Sequence, residues 1–440
     1  DMEDPFEHYL DDYEEEDLYF LDEEYSTSHL LATCSTGVLN SVRYNLLLTV
    51  SFALLQKTVL ALNFISYSSR HLLISFLGCS LLFLWDIPYT VSITIISTAF
   101  FFIALMLIPP SKYVGWITTL TAFTSLVLLE TMITSDNFSY RGILMILAMK
   151  VSSLAFDLSK NKYSVTVPEV LGYLLNPCTI IFGPSLPFTN YRIAFIPLSL
   201  TSHLLCIFPS LLFLLISLFS LLVSSCITQI LFPEEGILRQ FGDAQSFRFS
   251  HYFICFWSQG LISLGGEESP LIVHLHQVEM PRSLTQVVSL WNVPMHQYLF
   301  HYVYSRLRTF GSGVSIMGTF FVSSLLHGLN GQLSLVLLSL GLHSFTEKRL
   351  RDRLSSRLSS CIRSRPCSSC SHSHLLSSFR ARSINTIFSL LSIYHLLYLG
   401  MPWTGTMSFY PLSHTFSIWS SHLFASHLIS ISYLLFSFML

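Results

Sequence analysis

The sequence predicts an all-α, polytopic membrane protein, and three observations carry that prediction. The 440 residues are 51% hydrophobic and 14% aromatic but only 11% charged, against about 25% charged in an ordinary soluble domain. Thirteen of the 26 acidic residues fall within the first 25 positions, so the rest of the chain is mildly basic. Apolar runs recur near the roughly 20 residues that a helix needs to cross a bilayer. A water-soluble fold could not cover so much apolar surface with so few charges. Nothing in the pattern points to nucleic-acid recognition.

The elements follow in order. Residues 1–42, opening "DMEDPFEHYLDDYEEEDLYFLDEEY", read as an acidic, disordered tail. The first apolar run starts after Arg43 and reads as a span, not a cleavable signal. Residues 43–440 form the transmembrane domain, with spans expected at 44–65, 71–90, 92–109, 113–132 and 142–158. Pro109 and Pro110 stop the third. In 169–188, three prolines and a glycine in "LLNPCTIIFGPSLPF" predict a broken or re-entrant helix, a form allowed only where protein or a cavity covers the backbone. Residues 193–231 hold two spans. A polar stretch and a shorter segment at 250–264 follow. Residues 270–310 are too polar for a simple span and too aromatic for a free loop. Long apolar segments close the chain at 311–342, 384–401 and 420–440. The sum is about 9 to 12 membrane segments.

Residues 346–365 carry one lysine and six arginines against Glu347 and Asp352. They read as a cytosolic loop by the positive-inside rule, or as a helix lying in the interface. Cys361, Cys367, Cys370, His372 and His374 form a cluster whose spacing fits no zinc pattern. It reads as a polar loop with free or lipid-modified cysteines. Cys79, Cys178, Cys206, Cys226 and Cys255 read as small packing residues. The sequon Asn137–Ser139 lies too close to a membrane segment to suggest use. Lys57, Asp86, Glu130, Lys150, Asp157 and Glu169 are ionisable groups in or near apolar runs. Lys150 and Asp157, two helical turns apart, read as structural polar contacts.

Two residues are candidates for chemistry. His327 sits near the middle of 311–342, where an imidazole must face protein, water or substrate. Ser323, Ser324 and Asn330 would share its side of a continuous helix, and Gly328 and Gly331 would clear space beside it. Packing across a helix interface explains such a histidine as well as catalysis does. Asn292, between Trp291 and Val293, could orient an acyl carbonyl or be a turn residue shortly before Pro294. His296 and His301 follow without a distinguishing feature. The sequence has no GxSxG elbow, no HExxH and no Walker motif. A histidine without a nearby nucleophile suits direct transfer, in which the imidazole deprotonates an attacking hydroxyl and a second group holds the acyl carbonyl.

"AMKVSSLAFDL" at 148–158, "GYLLNPCTIIFGP" at 172–184, "SFRFSHYFICFWSQ" at 246–259, "EMPRSLTQVVSLWNVPM" at 279–295, "SSLLHGLN" at 323–330 and "CSSCSHSH" at 367–374 occur in an order that resembles the membrane-bound O-acyltransferases, and within them the branch that acylates Wnt proteins. The resemblance runs from about residue 45 to the C-terminus. It implies a multi-helix bundle pierced by a tunnel, in the endoplasmic reticulum membrane. His327 would be the catalytic histidine and Asn292 the second characteristic polar residue. Trp291, Ser323, Ser324 and Asn330 are the candidate substrate contacts. The reaction implied is transfer of a cis-monounsaturated palmitoleoyl group from coenzyme A, arriving from the cytosol, to a serine of a Wnt protein in the lumen. No metal or other cofactor is implied; palmitoleoyl-CoA is a co-substrate, and membrane lipids surround the bundle. The sequence departs from the pattern in its short serine-rich loops and in His296 and His301. An acyltransferase for a lysophospholipid or another peptide, or a membrane transporter, are the rival readings.

Overall fold

The computed structural model describes residues 26–106, 113–132, 140–160, 164–196, 206–233, 235–367, 372–403 and 412–440. They form a bundle of helices, with one isolated β-bridge between Ser360 and His374. Among the described residues, six helices are long and apolar enough to cross a membrane: Thr27–Ala61, Tyr67–Leu84, Tyr89–Met106, Arg141–Ser159, Ile207–Leu231 and Phe379–Gly400. The pair Leu412–Ser421 and Ala425–Met439, bent by 74°, makes a seventh if taken together. Val114–Leu129 and Ser312–Leu326 are shorter apolar helices. Ile237–Leu264 and Gly331–Arg357 are as long as spans but carry polar residues turned into protein.

The bundle has a large apolar core, but some of its helices turn small polar residues inward and leave large apolar ones exposed. Ile207–Leu222 exposes Phe208, Leu211, Leu212, Leu215 and Phe219 and buries Ser210, Ser217 and Ser220. Ser210 and Ser220 donate to carbonyls of their own helix, and Ser217 donates to Phe253 O at 2.7 Å on Ile237–Leu264. Without a hydrophobic force between helices in lipid, small residues that let backbones approach do the packing. Gly260 makes the same contact from the other side, where a Cβ would press on Leu214.

Three expectations need correcting. The first helix begins at Thr27, not beyond 42, because residues 27–42 bring three leucines, two valines, an alanine and no Asp, Glu, Lys or Arg. The acidic residues 1–25 lie outside the described part, as do the sequon at 137–139 and the side chain of Glu130. Residues 193–231 hold one described span, not two, with a π-turn at Val223–Ile227. Cys226, on that turn, is not a packing residue but is disulfide-bonded to Cys34.

The 169–188 segment is broken as expected, into short helices at Val167–Leu174, Pro177–Ile180 and Phe188–Ile193, with a cis bond between Gly183 and Pro184. Its polar backbone is covered by protein. Buried Lys150 donates to Tyr173 O at 2.9 Å and to Thr179 Oγ1 at 2.7 Å. Buried Glu267 accepts from Gln56 at 2.7 Å and from Asn176 at 2.5 Å. Asp157 accepts instead from Tyr302 OH at 2.9 Å, so Lys150 and Asp157 serve different partners despite sharing a helix face.

Candidate active site

Two chain breaks bring the site together. The first is at Asn292. Helix Leu284–Leu290 starts at Ser283, whose hydroxyl accepts from Gln286 N, while Leu284 N donates to Glu347 Oε2 at 2.8 Å. The helix stops at Trp291. Asn292 has extended backbone and N-caps Val293–Leu299: its Oδ1 accepts from Met295 N at 3.1 Å, and Pro294 occupies the first turn, where its missing N–H costs nothing. The cap uses the oxygen of the amide and leaves the two Nδ2 protons for other acceptors. Val293 N donates to Ile272 O at 2.8 Å and fixes the exit from the turn.

The second break is at His327. The sequence reading of 311–342 as one continuous helix is wrong here. Ser312–Leu326 ends with His327 as its C-cap, Gly328 takes φ +93°, and Asn330 N-caps Gly331–Arg357 by accepting from Leu333 N at 3.0 Å. A left-handed residue after the cap ends a helix, and glycine adopts it without steric cost. The polar stripe therefore divides. Ser323 stays with His327 on the cavity wall, whereas Ser324 donates to Phe321 O at 2.8 Å and Asn330 is used as a cap. Gly328 clears space for the guanidinium of Arg141, and Gly331 for Leu412, rather than for a ligand.

Both breaks open on one cavity of about 870 Å³. Trp291, Asn292, His296, Ser323 and His327 line it. Ser324, Asn330 and His301 do not. From His327 the wall continues along Ile316, Phe320, Leu337 and Leu340 to Lys348, Asp352, Arg363, Arg365 and Cys367. The cavity thus joins the histidine to the basic end through an apolar stretch. That end is not the loop expected for 346–365: the Gly331–Arg357 helix continues through it. Arg351 is fully buried, pairs with Glu347 at 3.0 Å and donates to the carbonyls of Arg282, Ile362 and Arg363 and to Asn385 Oδ1. It clamps the basic segment shut instead of offering charge to a ligand. Arg363 and Arg365 are exposed.

Among the described residues no group of three His, Cys, Asp or Glu side chains could hold a metal. In the 361–374 cluster, Cys361 N donates to His374 O at 2.9 Å and His372 contacts Ser355 Oγ at 3.3 Å; Cys370 lies outside the described residues. The sequence reading missed His251. It lies on Ile237–Leu264 inside "SFRFSHYFICF", lines the same cavity, and lies within electrostatic range of His327. The rule that singled out His327, an imidazole in an apolar stretch, applied to it equally.

Residues 272–348, which contain both breaks, match the model of the membrane-bound O-acyltransferase family. The chain is 35% identical over 331 residues to the human protein-serine O-palmitoleoyltransferase porcupine, covering 65% of this chain and 70% of that protein. It is 33% identical over 310 residues to its Caenorhabditis briggsae counterpart, covering 67% and 69%. The chain belongs to the porcupine family of membrane-bound O-acyltransferases. As a porcupine-family acyltransferase, it places the two polar residues singled out in its sequence on one cavity wall.

Proposed function

We propose that the protein transfers a palmitoleoyl group from coenzyme A to a serine of Wnt proteins in the endoplasmic reticulum membrane. The observation that carries this is the single cavity that holds His327 and Asn292 and runs from His327 along apolar residues to Lys348, paired with Asp352, and Arg363, with Arg365 reaching Ser289 on its wall. A long acyl chain fits the apolar stretch, and the phosphates of coenzyme A fit the basic mouth. The imidazole of His327 takes the proton from the serine hydroxyl as its oxygen attacks the thioester carbonyl. The Nδ2 protons of Asn292 stabilise the oxyanion that forms. The intermediate then collapses to the ester, and the departing thiolate takes the proton back from the imidazolium.

Polarity across the membrane supports the same reading. Arg282, Arg351 and Arg363 are bonded together at one end of the bundle. At the other end Ser246 donates to Ser224 O at 2.7 Å, on the turn that carries the Cys34–Cys226 disulfide. A basic end belongs in the cytosol and a disulfide in an oxidising lumen. Donor and acceptor then approach from opposite sides.

The test supplies solubilised protein with labelled palmitoleoyl-CoA and either a disulfide-braced Wnt hairpin peptide or a lysophospholipid. The expected result is label on the peptide serine, lost when that serine is alanine. Label on the lysophospholipid alone would replace this acceptor with a lipid.

A further inference from the structure

We propose that His251 is a positioning residue for the transfer: it fixes the Trp291–Asn292 main chain, and through it the aim of the Asn292 amide into the cavity. The inference rests on the role given to Asn292 above. His251 Nε2 lies 2.9 Å from Trp291 O. A carbonyl oxygen only accepts, so Nε2 carries the proton. Cys255 Sγ, a weak acceptor, lies 3.2 Å from the same nitrogen. The imidazole also lies flat on the Trp291 indole, with centroids 4.3 Å apart and planes 3° from parallel. Phe247 stacks beyond at 6.4 Å, and Tyr252 packs against the indole at 5.6 Å.

Trp291 is thus held twice by one side chain, by its ring and by its carbonyl. The next residue is Asn292, whose own side-chain oxygen is already committed to Met295 N. Its peptide plane begins at the carbonyl that His251 holds, so that hydrogen bond sets where the amide points. Asn292 lies between two helices, where no continuous helical ladder fixes the peptide. A small misplacement of a group facing the reacting carbon costs far more rate than stability.

A double-mutant cycle on the transfer reaction tests this. His251→Phe keeps the stack and removes the donor; His251→Gln keeps an N–H that can reach the carbonyl. Each is combined with Asn292→Ala. We expect His251→Phe to lower kcat about tenfold or more with the KM for palmitoleoyl-CoA little changed, the coupling typical of neighbours. His251→Gln restores most of the loss. In the Asn292→Ala background, His251→Phe costs less than about twofold. An equal fall in both backgrounds would overturn the proposal, as would a glutamine variant no faster than phenylalanine while both melt like the wild type. Wild-type turnover by Asn292→Ala alone would remove the role of Asn292 and this one with it. Should His251→Phe not accumulate as folded protein, the same cycle is read with His251→Leu.

Discussion

Two groups of histidines lie within the bundle, and they differ in what their rings meet. His343, His395 and His427 come from three helices, Gly331–Arg357, Phe379–Gly400 and Ala425–Met439. They pack ring on ring, with His343 4.8 Å from His395 and 5.0 Å from His427. Serine hydroxyls serve them: Ser430 on His343 at 2.6 Å, Ser426 on His395 at 2.5 Å, and Ser339 on His427 at 3.1 Å. His327 and His251 instead form part of a cavity wall. The first group shows a buried polar cluster serving as cement; the second shows the same residue type on a cavity wall, where a reactant has room. Apolar surroundings do not separate the two. The cavity does.

The largest effect should come from His327→Ala. Loss of a general base predicts a fall of roughly 10²- to 10⁴-fold in kcat, measured with labelled donor, while yield and melting temperature stay near wild type. Asn292→Asp comes next. A carboxylate still caps the following helix, but it has no protons to give an oxyanion, so the rate should fall about 10²- to 10³-fold with the melt preserved. Equal losses of rate and melting temperature would make Asn292 a cap and no more. Gly328→Ala forces a side chain into the left-handed region, at a cost of roughly 1–2 kcal/mol, and pushes it onto the Arg141 guanidinium. A measurable drop in both melting temperature and kcat is expected; a variant indistinguishable from wild type would mean that the break does not need this backbone.

The smallest effect on rate should come from the other histidines. His343→Leu strands the hydroxyl of Ser430, at a cost of about 1–3 kcal/mol for a buried group left unpaired, while Ser426 keeps His395. The melt should fall, while kcat per folded molecule stays within about twofold of wild type. A loss of kcat as deep as that of His327→Ala would erase the contrast between the two groups.

The class of protein was legible in composition, because few charges and repeated apolar runs leave no soluble alternative. The broken 169–188 segment was legible as well, since its prolines cannot continue a helix. The break at His327 was written in the sequence but outweighed there by apolar length: Gly328 supplies the left-handed residue and Asn330 the next cap, in the order that ends one helix and starts another. The Cys34–Cys226 bond was not legible, because partners far apart in the chain meet only through the packing of two spans. The burial of Arg351 was hidden for a related reason. A run of arginines looks solvated until a partner such as Glu347, one turn earlier, is seen turned inward with it. His251 was visible as a residue but not as a neighbour of Trp291, a contact that only the fold creates.

The most direct test of the account separates binding from transfer at His327. The wild type and His327→Ala are given labelled palmitoleoyl-CoA, first alone to measure the Kd of the donor, then with the acceptor peptide in a single turnover. The variant is expected to bind the donor as the wild type does and to transfer almost none of the acyl group. Transfer at the wild-type rate would contradict it.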